Sequence, residues 1–289
     1  MKEKPRYINA GGTLLDLEIP KVMGVLNITP DSFYKGSRYN TGEDILRAAV
    51  IMIEEGADIL DIGGYSSRPG AADISQKEEG KRVLKAINLI SRELPKAIIS
   101  IDTFRADVAR EAIIESGAHM INDISGGDAD SKMFSVVEKL NVPYIMMHMK
   151  GDPRTMQDNP VYDDVVADIL KWFGEKIFRL QSAGVKDIII DPGFGFGKTS
   201  DHNFELLQRL GDFSIAGLPL LVGVSRKSMI WKTLRITADE ALNGTTALNA
   251  IALSNGADIL RVHDVKEAVQ TVQLFIKIKN SVNNKCQMC

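Results

Sequence analysis

The chain is expected to fold as an α/β protein, a (β/α)₈ TIM barrel with an N-terminal β-hairpin. Three observations carry this: eight short apolar runs of strand length, helical periodicity between them, and one turn motif recurring at the same point of the cycle.

The turn motif is Gly-Ala-Asp or a near variant. Gly56-Ala57-Asp58 precedes Ile59-Leu60-Asp61-Ile62, Gly117-Ala118-His119 precedes Met120-Ile121-Asn122-Asp123, and Gly256-Ala257-Asp258 precedes Ile259-Leu260-Arg261-Val262. A looser copy, Ala183-Gly184-Val185-Lys186-Asp187, precedes Ile188-Ile189-Ile190-Asp191. Each glycine follows an amphipathic run such as Ile45–Ile53 and sits where a helix C-terminus needs a left-handed residue. The run after it is short, continuous and rich in β-branched residues, as a parallel strand covered on both faces should be. Each repeat therefore reads as helix, tight turn, buried strand.

Completing the cycle places strands near 22–27, 58–62, 97–102, 119–123, 143–148, 187–191, 219–224 and 258–263, with a last helix from Val265 to about Ile278. Eight such units in roughly 250 residues match a closed barrel. An open doubly wound sheet would carry a glycine fingerprint after its first strand, and Asn27-Ile28-Thr29-Pro30-Asp31-Ser32 is not one. Residues 7–18, with Gly11-Gly12 between two extended runs, read as a hairpin able to plug the other end of the barrel. Nothing divides the chain, so residues 1–289 are expected to form one domain, with the hairpin in 1–20 and a frayed tail over 280–289.

Hydrophobic residues make up 44% and charged residues 25% of the 289, with a formal net charge of -3, the profile of a soluble globular protein. No excess of basic charge points to nucleic acid or an anionic membrane. The apolar runs are far too short to span a bilayer, and no signal-peptide core follows Met1-Lys2-Glu3-Lys4-Pro5, so a cytoplasmic location is expected. The only cysteines, Cys286 and Cys289, lack the second ligand pair of a zinc site and the strand-to-helix setting of a redox site.

Polar side chains interrupt these apolar strands at one end only. Asn27, Asp61 and Asp102 end the first three, Asn122 and Asp123 the fourth, His148 the fifth and Asp191 the sixth. Ser225, Arg226 and Lys227 follow the seventh, and Arg261 and His263 close the eighth. C-terminal strand ends converge on the barrel mouth where such folds place their sites. Helix capping or turn support is an equally open reading for Asp61 and Asp123 taken singly. It does not account for Lys227, Arg261 and His263, so opposite charges in one cavity imply a ligand with two chemically distinct parts. Gly63-Gly64-Tyr65-Ser66-Ser67-Arg68-Pro69-Gly70 suits an oxyanion. In Asp191-Pro192-Gly193-Phe194-Gly195-Phe196-Gly197-Lys198-Thr199 the first glycine of a Walker loop falls on Pro192, which leaves close backbone approach to a flat ligand beside Phe194 or Phe196.

Together these segments resemble the signature blocks of the dihydropteroate synthase family. They are Gly24–Phe33, Asp61–Gly64 with Ser67–Ala71, Ser100–Thr103, Ile121–Gly127, Met147–Met149 with Pro153–Gln157, Asp191–Lys198, Gly223–Ser228 and Arg261–Asp264, spread over about residues 20 to 275. The resemblance implies condensation of a dihydropterin diphosphate with 4-aminobenzoate, giving 7,8-dihydropteroate and diphosphate, with Mg²⁺. It implies that Asp102, Asn122, Asp191 and Lys227 hold the pterin, among them Asp102, Asp191 and Lys227 as the residues acting on the reaction. Asp61, Ser67, Met147 and Phe196 join the substrate site. Asn27, Arg68, Arg261 and His263 surround the diphosphate, with Asn27 on the metal. A homodimer and small-molecule partners alone are implied. Carboxylates accept paired donors from the pterin, and Lys227 donates to its ring carbonyl.

Tyr65 stands where the family usually has Glu, and Ser67 where it usually has Thr; both flank the implied arylamine pocket. Two alternatives share the barrel. A pterin-dependent methyltransferase domain needs no diphosphate site, and a non-catalytic pterin-binding paralogue should have lost the phosphate and pterin residues.

Overall fold

The computed structural model describes residues 4–28, 41–66, 74–152, 156 and 160–286, with 282–286 as backbone alone. An antiparallel hairpin, β1 (Tyr7–Ala10) and β2 (Thr13–Asp16), precedes eight parallel strands. These are β3 (Lys21–Asn27), β4 (Ile59–Gly63), β5 (Ile98–Asp102), β6 (Met120–Asp123), β7 (Tyr144–Met147), β8 (Ile188–Asp191), β9 (Leu221–Val222) and β10 (Ile259–Val262). They pair in the order β8-β7-β6-β5-β4-β3-β10-β9, and a parallel bridge between Ile190 and Leu220 brings the two ends of that order together. The expected barrel and hairpin are both present.

Helices α1 (Gly42–Glu54), α2 (Gln76–Glu93), α3 (Ala106–Ser116), α4 (Met133–Leu140), α5 (Val165–Ser182), α6 (Ser200–Gln208), α7 (Ser228–Leu234), α8 (Leu242–Ser254) and α9 (Val265–Cys286) separate or follow the strands. Helix α9 outruns its expected end near Ile278, and the tail expected to fray from residue 280 is helical to Cys286. No Gly or Pro breaks the run from Val265 to Cys286. Strand β9 is shorter than expected because Leu220 N–H donates to the Asp258 carboxylate at 2.7 Å and Pro219 has no N–H to give.

The turn motif builds the cycle through one device used four times. Gly56, Gly117, Gly184 and Gly256 have φ of 100°, 88°, 88° and 97°, the left-handed region where a side chain costs about 1–2 kcal/mol. The next residue then reaches back over the helix end: Ala57 N to Met52 O at 2.9 Å, Ala118 N to Ala112 O at 3.0 Å, Val185 N to Leu180 O at 3.1 Å and Ala257 N to Ala252 O at 3.0 Å. The third motif residue accepts a backbone N–H from the neighbouring strand. Asp58 takes Val22 N at 2.9 Å and Asp258 takes Leu220 N, while His119 does the same for Ile99 N through Nδ1 at 3.1 Å. His119 thus stands in for an aspartate, with burial lowering its pKa.

Side chains alternate between two cores. Outward residues such as Leu60, Ile62, Ile99 and Ile101 pack beneath the helices. Inward residues Met23, Ile59, Ile98, Met120, Ile145, Ile189, Leu221 and Ile259 form a second cluster with Ile8, Ala10, Leu15 and Leu17 of the hairpin region. The hairpin seals the N-terminal end with apolar contacts, leaving only the C-terminal mouth for chemistry.

Candidate active site

Two residues further along the strands, the inward positions turn polar. The register that places Ile59 beside Ile98 places Asp61 beside Ser100 and Gly63 beside Asp102. Asn122 pairs with Asp102 and Met147 with Asp191 across their strands. The mouth is therefore a direct continuation of the apolar plug.

Four of these side chains form one network. Arg261 of β10 donates through Nε to Asp61 Oδ2 at 2.7 Å and through Nη2 to Asp102 Oδ2 at 2.6 Å, and Asn122 Nδ2 reaches Asp61 Oδ2 at 3.0 Å. Burial pushes the Asp102 carboxyl up to about 7, against the pull of Arg261, while Asp61, Glu79 and Asp123 add to the rise. Burial also works against the Arg261 charge, but Asp61 and Asp102 outweigh it and hold its pKa above the ordinary value. The capping alternative for Asp61 does not hold, since its carboxylate faces this network.

Turn support does hold for Asp123, which points outward and accepts from Ser125 N at 2.8 Å, Ser125 Oγ at 2.7 Å, Gly127 N at 2.8 Å and Tyr144 Oη at 2.8 Å. Arg226 is likewise structural. Its left-handed backbone (φ 54°) turns the guanidinium onto Asp264 in a two-point ion pair at 2.9 and 2.8 Å.

The opposite side is shaped by the glycine segment after β8. Asp191 accepts Gly193 N at 2.8 Å, and burial raises its pKa against the draw of Lys227. Gly193 (φ 73°) must be glycine, because a Cβ there would lie 1.9 Å from His148 O. A Cβ on Gly195 would lie 3.3 Å from Lys227 Cδ, so this glycine makes room for the lysine stem. Lys227 donates to Phe194 O and lies 4.7 Å above the half-buried Phe196 ring. Burial brings its pKa down to about 8, with Asp191 resisting. Phe194 is wholly buried, so of the two aromatic residues Phe196 is the one placed against a ligand.

Sequence reading missed what supports this wall. Lys198 is buried and donates to Gly193 O at 2.9 Å and Phe196 O at 3.0 Å, with Nζ 3.0 Å from His148 Nδ1. Burial drives its pKa well down and, with the lysine's charge, takes His148 to about 2, so the imidazole is neutral. His148 thus braces the glycine turn. The signal was present in the lysine that ends the glycine run, but rejecting a Walker loop removed the reason to assign it.

Glu79 of α2 was missed as well. It is fully buried, accepts from Thr103 Oγ1 at 2.6 Å and Arg105 Nη1 at 2.8 Å, and has its pKa raised by burial. Arg105 also donates to Ile74 O at 2.6 Å and lies over Tyr65, whose ring meets Phe104 edge-on at 5.0 Å. The departure at Tyr65 is therefore packed into this cluster.

At the rim, Ser225 Oγ lies 3.0 Å from His263 Nδ1, orienting the imidazole. A Cβ built on Gly63 would lie 3.4 Å from both Asn27 Oδ1 and Asp102 Oδ2, so these two oxygens flank one glycine. The structure brings together Asn27, Asp61, Asp102, Asn122, Met147, Asp191, Phe196, Lys227, Arg261 and His263 at one barrel end. Ser67 and Arg68, and the loop over 29–40, lie outside the described residues.

The described residues contain no cluster of three His, Cys, Asp or Glu able to cage a metal. A magnesium ion that keeps its waters and uses substrate phosphates needs only one or two protein oxygens, and Asn27 Oδ1 at the mouth fits that requirement.

Barrel, plug and a mouth holding both charges fit a pterin-binding enzyme, and residues 23–263 match the family model described as pterin binding enzyme. The chain is 45% identical over 278 residues to dihydropteroate synthase of Escherichia coli K12, covering 96% of this chain and 98% of that one. It is 41% identical over 261 residues to the Bacillus subtilis enzyme of the same name, covering 90% and 88%. The solved Yersinia pestis dihydropteroate synthase, in complex with a sulfonamide drug, superposes with a TM-score of 0.91 at 40% identity over 95% of this chain and 99% of that one. The Xanthomonas albilineans enzyme in complex with 7,8-dihydropteroate gives 0.83 at 33% identity, over 95% and 99%. The chain belongs to the dihydropteroate synthase family, transferases of folate biosynthesis. The methyltransferase and non-catalytic alternatives fall away, since these relatives are synthases along nearly their whole length.

Proposed function

We propose that this chain condenses (7,8-dihydropterin-6-yl)methyl diphosphate with 4-aminobenzoate, using the two sides of the barrel mouth for the two halves of the first substrate. The observation that carries this is the meeting of both charges at one mouth. The buried Asp191 and Asn122 lie with the partly exposed Asp102 in the inward layer, while Lys227, Arg261 and His263 come from the last two strand ends. The pterin's amino and ring N–H groups donate to Asp102, Asp191 and the Asn122 amide oxygen. Lys227 donates to the ring carbonyl, and Phe196 with Met147 forms the flat walls.

Bond breaking comes first in this reading. The methylene carbon–oxygen bond cleaves, the electron pair leaves with diphosphate, and positive charge spreads into the pterin. Asp102 and Asp191 stabilise that charge, while Arg261, His263 and Arg68 stabilise the anion. The arylamine nitrogen then bonds to the methylene carbon and loses a proton to solvent or diphosphate. Asn27 would serve as a protein ligand of Mg²⁺, which would supply charge neutralisation for the departing diphosphate. Ser67 would meet the arylamine side. The Xanthomonas albilineans relative has been solved with 4-aminobenzoic acid, which supports that second substrate.

A cytoplasmic homodimer acting on small molecules alone completes the proposal. Among the described residues no helix is long and apolar enough to cross a membrane, which agrees with it. Incubation with both substrates and Mg²⁺ should yield dihydropteroate and diphosphate in equal amounts. Failure to form either product would overturn the reading, and sedimentation of the purified chain tests the dimer.

A further inference from the structure

A ligand entering the mouth does not meet every polar residue in it. Asp61 has a side-chain exposure of 0%, against 18% for Asp102 and 22% for the Arg261 side chain that joins them. The register puts Asp61 one inward position deeper than Gly63, whose neighbours are Asn27 and Asp102. Arg261 therefore roofs Asp61, and the pterin lies on the far side of that roof.

The hydrogen bonding of Asp61 is lopsided. Its Oδ2 takes Arg261 Nε and Asn122 Nδ2 at 2.7 and 3.0 Å and lies 2.6 Å from Arg261 Nη2. Its Oδ1 is buried with no hydrogen-bond partner among the described residues, as is Oγ of its strand neighbour Ser100. A buried ion pair with one carboxylate oxygen unused is weak evidence for a role in stability. Arg261 meanwhile spends Nη2 on Asp102, a carboxylate that the pterin also requires.

Resting on the site reading above, we propose that Asp61 is a positioning residue that touches no substrate. It holds Arg261 by Nε and Nη2 while the pterin takes Asp102, which frees the second N–H of Nη2, the one on Asp102, for the departing diphosphate. Pterin recognition and stabilisation of the leaving group are thereby joined in one guanidinium with a fixed pivot.

The test compares two probes by calorimetry, the dihydropterin methyl alcohol and its diphosphate with Mg²⁺, in wild type, Asp61→Asn, Arg261→Gln and the double variant, together with kcat. Asp61→Asn should leave alcohol binding within about two-fold while weakening the diphosphate and lowering kcat by at least about tenfold. In the Arg261→Gln background the same change should add less than about three-fold, because its effect passes through the arginine. Equal losses for both probes would overturn the proposal by showing Asp61 on the pterin, and so would a full additive loss in the double variant. If Asp61→Asn does not fold, Asp61→Ser reads the same ratio. The site reading is tested separately by the wild type, which must bind the diphosphate more tightly than the alcohol.

Discussion

Asp191→Asn separates shape from charge at the centre of the site. One carboxylate oxygen is held by Gly193 N–H at 2.8 Å, and among the described residues no other hydrogen bond reaches the Asp191 carboxylate. An asparagine can keep that bond with its carbonyl oxygen, which directs its NH₂ where the carboxylate's second oxygen stood. A pterin approaching with N–H donors then meets a donor. Losing a charge-assisted bond in a closed site costs about 2–4 kcal/mol of transition-state stabilisation, or roughly 30- to 1000-fold in kcat/KM. The charge matters a second time, because Asp191 resists the burial that lowers Lys227 to about 8. Removing it should move the alkaline limb of the rate profile to lower pH. Stability should change little: the Gly193 bond survives and the cost of burying a carboxylate disappears, so the thermal midpoint should stay within about 3 °C. Steady-state kinetics from pH 6 to 9 and a thermal melt of the same preparation check all three. A folded variant with wild-type kcat/KM for the pterin diphosphate would refute the reasoning.

Three further outcomes follow from the same geometry. Pterin binding needs a charged Asp102, whose pKa is raised to about 7, so kcat/KM for the pterin diphosphate should rise with pH through that region. Because Arg261 draws this pKa down, Arg261→Gln should shift the acid limb to higher pH, and a shift to lower pH would contradict the network. Activity should collapse with EDTA and return with Mg²⁺, since Asn27 and the basic side chains alone do not neutralise a diphosphate; full turnover in metal-free buffer would reject this. Finally, 4-aminobenzoate should bind the free enzyme weakly and at least about tenfold more tightly with Mg²⁺ and diphosphate present, as ordered binding requires; equal calorimetric affinities would sink that order.

Much of the fold was legible because its cues are local. Left-handed glycines, the helix-end bonds of the residues after them and β-branched strands all lie within about ten residues of one another, and each repeat states the whole device. What was not legible depended on the absence of a signal or on distant partners. The end of α9 was misjudged because polarity, not a Gly or Pro, marks residues 279–286. The shortening of β9 arises from Asp258, far along the chain, taking the Leu220 N–H.

At the site, parity separates residues that composition treats alike. In sequence Asp61 and Asp123 both follow a short apolar run, yet one faces inward to Arg261 and the other outward to the Ser125–Gly127 turn. The difference is one position in a period of two, which a strand boundary uncertain by a single residue leaves undecided. Arg261 shows the complementary problem. As a basic residue it belongs with the diphosphate, but its Nε and Nη2 lie on carboxylates at 2.7 and 2.6 Å that come from β4 and β5. No sequence spacing encodes that meeting, since the pairs span 200 and 159 residues. Closure of the barrel creates it, by setting β10 beside β3 and so two strands from the Asp61 end. In the proposed reaction an arginine facing two carboxylates has one head for two tasks, and its division between them would set how tightly pterin recognition is tied to departure of the diphosphate.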